Sequence, residues 1–168
     1  MSDANWGPQD ASLTRTSIEL PLFASCSMSA FYVDLLGPLP WMSKCQTVTA
    51  CSSTESDIYA TSESVKCLLE LFQLLEFLGF CELFMPGTTT ICNDNNACVN
   101  WSERSTTKGL RHIQMQENMV REQVVQKFVT IQHIGGKLNI ADLFTKEMRD
   151  IAHFVELCDL IMKSRSAI

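Results

Sequence analysis

Between residues 54 and 78 the apolar side chains Val65, Leu68, Leu69, Phe72 and Leu75 recur at the spacing that stacks them on one face of a helix, while Lys66, Glu70, Gln73 and Glu76 fall on another. Gly79 ends the run. So long an amphipathic helix has to lay its apolar stripe on other elements, and the flanking segments form strands. Residues 29–50, SAFYVDLLGPLPWMSKCQTVTA, predict two strands around a turn at Gly37-Pro38, because β-branched and aromatic residues flank a pair of chain breakers. After a break at Pro86-Gly87, residues 88–92 predict a short strand that stops at Asn93-Asp94-Asn95-Asn96, where a helix starts. Residues 111–126 predict a helix and 128–134 a strand, and Gly135-Gly136 separates these from a last helix over residues 140–162. Residues 7–28 are the least regular and predict a loop or an irregular edge. The order of elements predicts an α/β fold of the α+β type, a central mixed β-sheet flanked by helices, with active residues where strand ends meet helix starts.

With 168 residues and 46% hydrophobic side chains, the chain suits one compact domain. It holds no run of about 18 uncharged apolar residues and no basic segment leading into an apolar one, so the expectation is an intracellular protein without a membrane span. Eight cysteines (Cys26, Cys45, Cys51, Cys67, Cys81, Cys92, Cys98 and Cys158) form no CxxC pair and have no histidines at zinc-finger spacing, which predicts reduced, mostly buried thiols. A formal charge of -6 argues against tight binding of nucleic acid by the chain alone, since phosphate contacts draw on a surplus of Lys and Arg. Any such affinity is local or comes from a neighbouring domain.

Four acidic residues stand at element boundaries: Asp3, Glu55 at the start of the long helix, Asp94 at the end of a strand, and Asp142 at the start of the last helix. Each has a structural use. Glu55 lies in Ser52-Ser53-Thr54-Glu55, the spacing of a capping box, and Asp142 can serve its own helix in the same way. Asp94 can cap the next helix, and Asp3 can be a solvated terminal acid. The joint pattern points elsewhere, because hydrolysing a phosphodiester with two divalent cations requires carboxylates from separate elements to converge on metals about 4 Å apart. Ligands of this hard type select Mg²⁺ or Mn²⁺ over zinc.

Four blocks carry a more specific likeness: Ser2-Asp3-Ala4-Asn5-Trp6, Ser52-Ser53-Thr54-Glu55, Asn93-Asp94-Asn95 and Asn139-Ile140-Ala141-Asp142-Leu143-Phe144-Thr145-Lys146. In order and interval they resemble the ribonuclease H domain of Ty1/copia-type retrotransposon polyproteins. Trp41-Met42-Ser43-Lys44 and Lys108-Gly109-Leu110-Arg111-His112-Ile113 support the resemblance, which runs over residues 2–148. It implies a ribonuclease H-like fold, with residues 1–150 as the domain, its first strand truncated, and 151–168 as a C-terminal helix or tail. It also implies an endonuclease that hydrolyses the RNA strand of an RNA/DNA hybrid, with Asp3, Glu55, Asp94 and Asp142 holding two Mg²⁺ or Mn²⁺ ions. The reverse transcriptase domain of the same polyprotein is the implied partner, and the cytoplasm, within a retroelement particle, the implied location.

Selection for RNA rests on the 2′-hydroxyl, for which Asn95 and Asn96 are candidate contacts. Lys108 and Arg111 are candidate phosphate contacts or an ordinary solvated pair. His133 is either a group that helps product leave or a packed residue at a strand end. His112 has no derivable role, and His153 is expected to be structural. Trp41 is expected in the core, while Trp6 and Trp101 are either base-stacking or core residues.

The chain departs from the family in three places. It begins one residue before Ser2, where the family has an apolar strand, so the resemblance leaves Asp3 on a fraying end. Cys45 stands where the family has a basic residue, and Asp57 where it has a second Glu. The alternative function is therefore a noncatalytic, truncated or decayed retroelement fragment with weak or no nucleic-acid binding. An integrase or exonuclease and a host interaction module are further readings. The acid order and the ADLFTK block favour ribonuclease H over the nuclease relatives.

Overall fold

The computed structural model describes residues 1–5, 27–35, 37–80, 87–103 and 114–163. The fold is mixed α/β, as expected. Strands β1 (Ser2–Asn5), β2 (Met28–Asp34) and β3 (Pro38–Cys45) form an antiparallel sheet in that order. Strands β4 (Thr89–Asn93) and β5 (Val129–His133) pair in parallel, from Thr89 opposite Val129 to Asn93 opposite His133. The helices are α1 (Ser53–Phe77), α2 (Asn96–Glu103), α3 (Gln114–Val125), α4 (Asp142–Thr145) and α5 (Ile151–Lys163). No helix among the described residues is long and apolar enough to cross a membrane.

The expected hairpin is β2–β3. Gly37, at φ +139, takes a backbone conformation that a side chain would strain, and its amide donates to Asp34 Oδ1 at 3.0 Å. Pro38 opens β3, the edge strand, where a missing N–H is tolerated. The two sheets meet at β1 and β4. There the fully buried Asn93 side chain donates to Ser2 O at 3.4 Å and Ser2 Oγ at 3.3 Å. At that seam β1 lies between β2, with which it pairs, and β4.

Helix α1 covers both sheets. Its apolar stripe, Ile58, Val65, Leu68 and Phe72, packs with Ile91, Trp101, Val120, Val129 and Ile131 in the main core. Phe72 meets Phe128 edge-on, with ring centroids 4.1 Å apart, and each such buried side chain contributes roughly 1.5–3 kcal/mol. The first turns bury Ser56, Asp57, Thr61, Ser62 and Ser64 as well. Small side chains let the helix lie close to β1: Ser62 donates to Tyr59 O, Ser64 to Ala60 O, and Thr61 pairs with Ser2 Oγ at 3.3 Å, whereas the buried Ser56 hydroxyl has no hydrogen-bond partner among the described residues.

Three expectations need correction. The helix expected over residues 140–162 is two helices: Lys146 leaves α4 in an extended conformation, and Asp150 Oδ1 accepts the amides of Ala152 and His153 to start α5 afresh. Trp41 is not in the core; it lies on the edge strand, 63% exposed, stacked on Phe144 at 5.4 Å. The thiols are less buried than expected. Among the described cysteines Cys98 is buried and its thiol is pushed up to about 12 by that burial, whereas Cys45 and Cys51 are exposed. Trp101 is a core residue under the Arg121 guanidinium, 5.2 Å from the ring centroid. Residues 6–26, with Trp6 and Cys26, and residues 104–113, with Lys108, Arg111 and His112, lie outside the described residues, as does Cys81.

Candidate metal centre

Three of the four expected acids converge. Asp3 lies in β1, opposite Ala30 of β2, and its side chain is 2% exposed rather than fraying. Thr145 Oγ1 donates to its Oδ2, a bond that joins the two ends of the site in sequence. Asp94 follows the last residue of β4 and does not cap α2. That task falls to Asn95, whose Oδ1 accepts the amides of Ala97 at 2.9 Å and Cys98 at 3.4 Å. Asp142 opens α4, where no side chain caps the helix. One carboxylate oxygen from each of Asp3, Asp94 and Asp142 lies within 4.8 Å of the others.

Glu55 is not in this group. Its Oε2 accepts the Cys51 amide at 2.8 Å while Ser52 Oγ accepts the Glu55 amide at 3.2 Å, which commits it to the start of α1. Residues two apart on a helix point about 200° apart, so a helix that turns Glu55 toward its own N-terminus turns Asp57 the other way. Asp57 Oδ1 accepts the Ala4 amide, next to Asp3, at 3.1 Å, and its Oδ2 accepts from Asn95 Nδ2, next to Asp94, at 2.6 Å. Asp57, which the sequence marks only as standing where the family has a second Glu, thus lies beside Asp3 and Asp94; the capping-box spacing of Ser52 and Glu55, with a second acid two positions on, was the signal for that placement.

The surroundings are short of positive charge. Burial pushes the Asp57 carboxyl up to about 7 against the hydrogen bond from Asn95, with the charges of Asp3 and Asp94 adding to the rise. Burial, and then Asp3, likewise raise Asp94. Asp142 is raised by burial despite the hydrogen bond from Lys146. Lys146 Nζ donates to Asp142 Oδ1 at 2.8 Å and stands 3.6 Å from Asp3 Oδ2. Although burial disfavours its charge, these carboxylates hold its pKa above the ordinary value. A Cβ on Gly136 would sit 3.2 Å from Asp94 Oδ2, so the absence of a side chain there leaves that oxygen open. Acids that resist ionisation because they are buried, and buried beside one another, are what a divalent cation relieves, and the donors are all hard oxygens.

The remaining candidates are placed as follows. Asn95 lies beside the acids with both ends of its amide engaged, and Asn96 is exposed at the start of α2. His133 ends β5 with Nε2 3.1 Å from Asp94 O, its ring otherwise exposed. His153 Nδ1 is 3.8 Å from Glu156 Oε2 on α5.

No protein-family model matches the chain. It is 29% identical, over 111 residues, to the retrovirus-related Pol polyprotein from transposon TNT 1-94 of Nicotiana tabacum, a match that covers 66% of this chain and 8% of that polyprotein. The chain is thus related to a retroelement polyprotein and spans a small part of its length. Among solved structures, the native prototype foamy virus protease-reverse transcriptase aligns with 99% of this chain and 20% of its own, at 13% identity and a TM-score of 0.44.

Proposed function

We propose that the chain is a ribonuclease H, a metal-dependent endonuclease that hydrolyses the RNA strand of an RNA/DNA hybrid within a copia-type retroelement polyprotein. The observation that carries this reading is the meeting of Asp3, Asp94 and Asp142, from β1, the end of β4 and the start of α4, within 4.8 Å. Acids scattered over the chain and gathered at strand ends suit phosphodiester hydrolysis better than a structural role, since burying like charges together destabilises the metal-free fold. The relationship to a retroelement Pol polyprotein supports the same reading.

Asp3, Asp94 and Asp142 would hold two Mg²⁺ or Mn²⁺ ions, with Asp57 as the fourth acid in place of Glu55. Such ions, when bound, supply activation of the attacking water and neutralisation of charge at the scissile phosphate and the leaving 3′ oxygen. The chain's own residues orient the donors. Thr145 holds Asp3 in one rotamer, and Asn95 with the Ala4 amide does the same for Asp57. His133, held 3.1 Å from the Asp94 carbonyl and exposed beyond it, would meet the departing product. Asn95 or Asn96 and main-chain groups would contact the 2′-hydroxyl, and Lys108 and Arg111, outside the described residues, would contact phosphates.

A 5′-labelled RNA/DNA hybrid incubated with the purified chain and Mg²⁺ tests this. Cleavage of the RNA strand alone, abolished by chelation and by Asp94→Asn, is the expected result. An intact hybrid at all Mg²⁺ concentrations would leave the noncatalytic fragment as the function.

A further inference from the structure

Lys146 has no part in the reaction as described, yet its ammonium lies among the acids. Among the described residues it is the one cation paired with any of Asp3, Asp94 and Asp142. The local backbone puts it there: Lys146 caps α4 in an extended conformation (φ -125, ψ 143), four residues after Asp142, and its amide donates to Asp142 O at 3.0 Å. The side chain thereby folds back over the turn onto Asp142 and Asp3. It remains 38% exposed, so the flexible stem has a way out to solvent without unfolding anything.

Resting on the metal-site reading above, we propose that Lys146 is the site's resident counter-cation. It neutralises Asp3 and Asp142 while the chain is metal-free, is displaced from them when a divalent cation arrives, and so sets the concentration at which the site loads. The physical argument is competition. A monovalent ammonium 2.8 Å from one ligand oxygen and 3.6 Å from another satisfies part of the charge that a divalent cation would satisfy. Loading therefore includes breaking two ion pairs, which lowers apparent affinity, while the same pairs keep the empty site from being forced apart by repulsion. A lysine that merely anchored α4 would stay in place when metal binds.

Two measurements on the full chain separate these cases without reference to cleavage. In the wild type, amine acylation followed by mass spectrometry, with exposed Lys137 as internal reference, should show Lys146 reacting several-fold faster at saturating Mg²⁺ than without it. Asp94→Asn should remove the change. In calorimetry, Lys146→Met should bind Mn²⁺ about tenfold more tightly than wild type, a factor equal to 1.4 kcal/mol. If the wild type binds Mn²⁺ but neither the labelling nor the affinity responds, the counter-cation proposal is overturned and the metal site stands. If neither wild type nor Lys146→Met binds a divalent cation and labelling is unchanged, the metal-site reading itself has failed. The labelling arm uses unaltered protein, so it decides the question even if Lys146→Met does not fold.

Discussion

Asp57 should make the metal-free chain less stable as pH rises, and the effect is large enough to measure. Its carboxyl has an ordinary value of 3.8 and is pushed up to about 7 in the fold, chiefly by burial. The folded chain therefore holds this proton more tightly than the unfolded chain does. Stability from this group is fully present below about pH 4, is lost as pH climbs to about 7, and is constant above that. A rise of roughly three pKa units at 1.36 kcal/mol each amounts to about 4 kcal/mol, a large share of the 5–15 kcal/mol typical of a domain. Urea unfolding followed by tryptophan fluorescence, at half-unit steps from pH 4 to pH 8, supplies the curves for wild type and Asp57→Asn. Asp94 and Asp142 are raised too and slope both curves in the same direction, so the quantity to read is the difference between the two proteins. The wild type should lose about 4 kcal/mol relative to Asp57→Asn across that window, and millimolar Mg²⁺ should remove most of the loss. Parallel curves, agreeing within about 1 kcal/mol, would refute the argument that Asp57 is buried against the other acids.

Glu55→Gln and Asp57→Asn should differ sharply in calorimetry with Mn²⁺: the first keeps binding, because Glu55 serves the helix start, and the second weakens it at least about tenfold, or about 1.4 kcal/mol. Equal losses would restore Glu55 to the site. Asn93→Ala removes one donor from Ser2 O and Ser2 Oγ and the acceptor of the Asn95 amide, and should cost about 2–3 kcal/mol in urea unfolding. A loss below about 0.5 kcal/mol would show that the seam between β1 and β4 does not depend on it. Trp41→Ala should cost about 1 kcal/mol, the worth of its stack on Phe144, whereas the buried Trp101→Ala should cost about 3–5 kcal/mol. Comparable thermal melts for the two would contradict their placement.

Where local periodicity decides structure, the sequence was a good guide. The stripe from Val65 to Leu75 and the stop at Gly79 located α1, and Gly37-Pro38 located the hairpin, because these signals act within a few residues. The break after α4 was invisible to periodicity, since apolar residues continue at helical spacing past Lys146. At Lys146 the backbone turns extended and the ammonium lies 3.6 Å from Asp3 Oδ2 on β1, a neighbour that no local pattern names. Trp41 misled for a related reason: its β-prone setting was legible, but not that β3 would be the sheet's outer edge, which pairing order settles. Of the site, Asp3, Asp94 and Asp142 could be named as single residues, and their meeting is a product of topology. That Asp57 rather than Glu55 lies beside Asp3 and Asp94 follows from helix geometry, which the capping-box spacing of Ser52 and Glu55 does not display by itself.

The bond between Thr145 and Asp3 spans 142 residues, nearly the length of the chain. Contacts so distant in sequence close last, after the local helices and the hairpin have formed. The segment that carries Asp142, Thr145 and Lys146 is synthesised on the order of ten seconds after β1, at 5–20 residues per second. Until it emerges, Asp3 and Asp94 have neither the third acid nor the ammonium beside them, so the three carboxylates can meet only in a chain extended past residue 146.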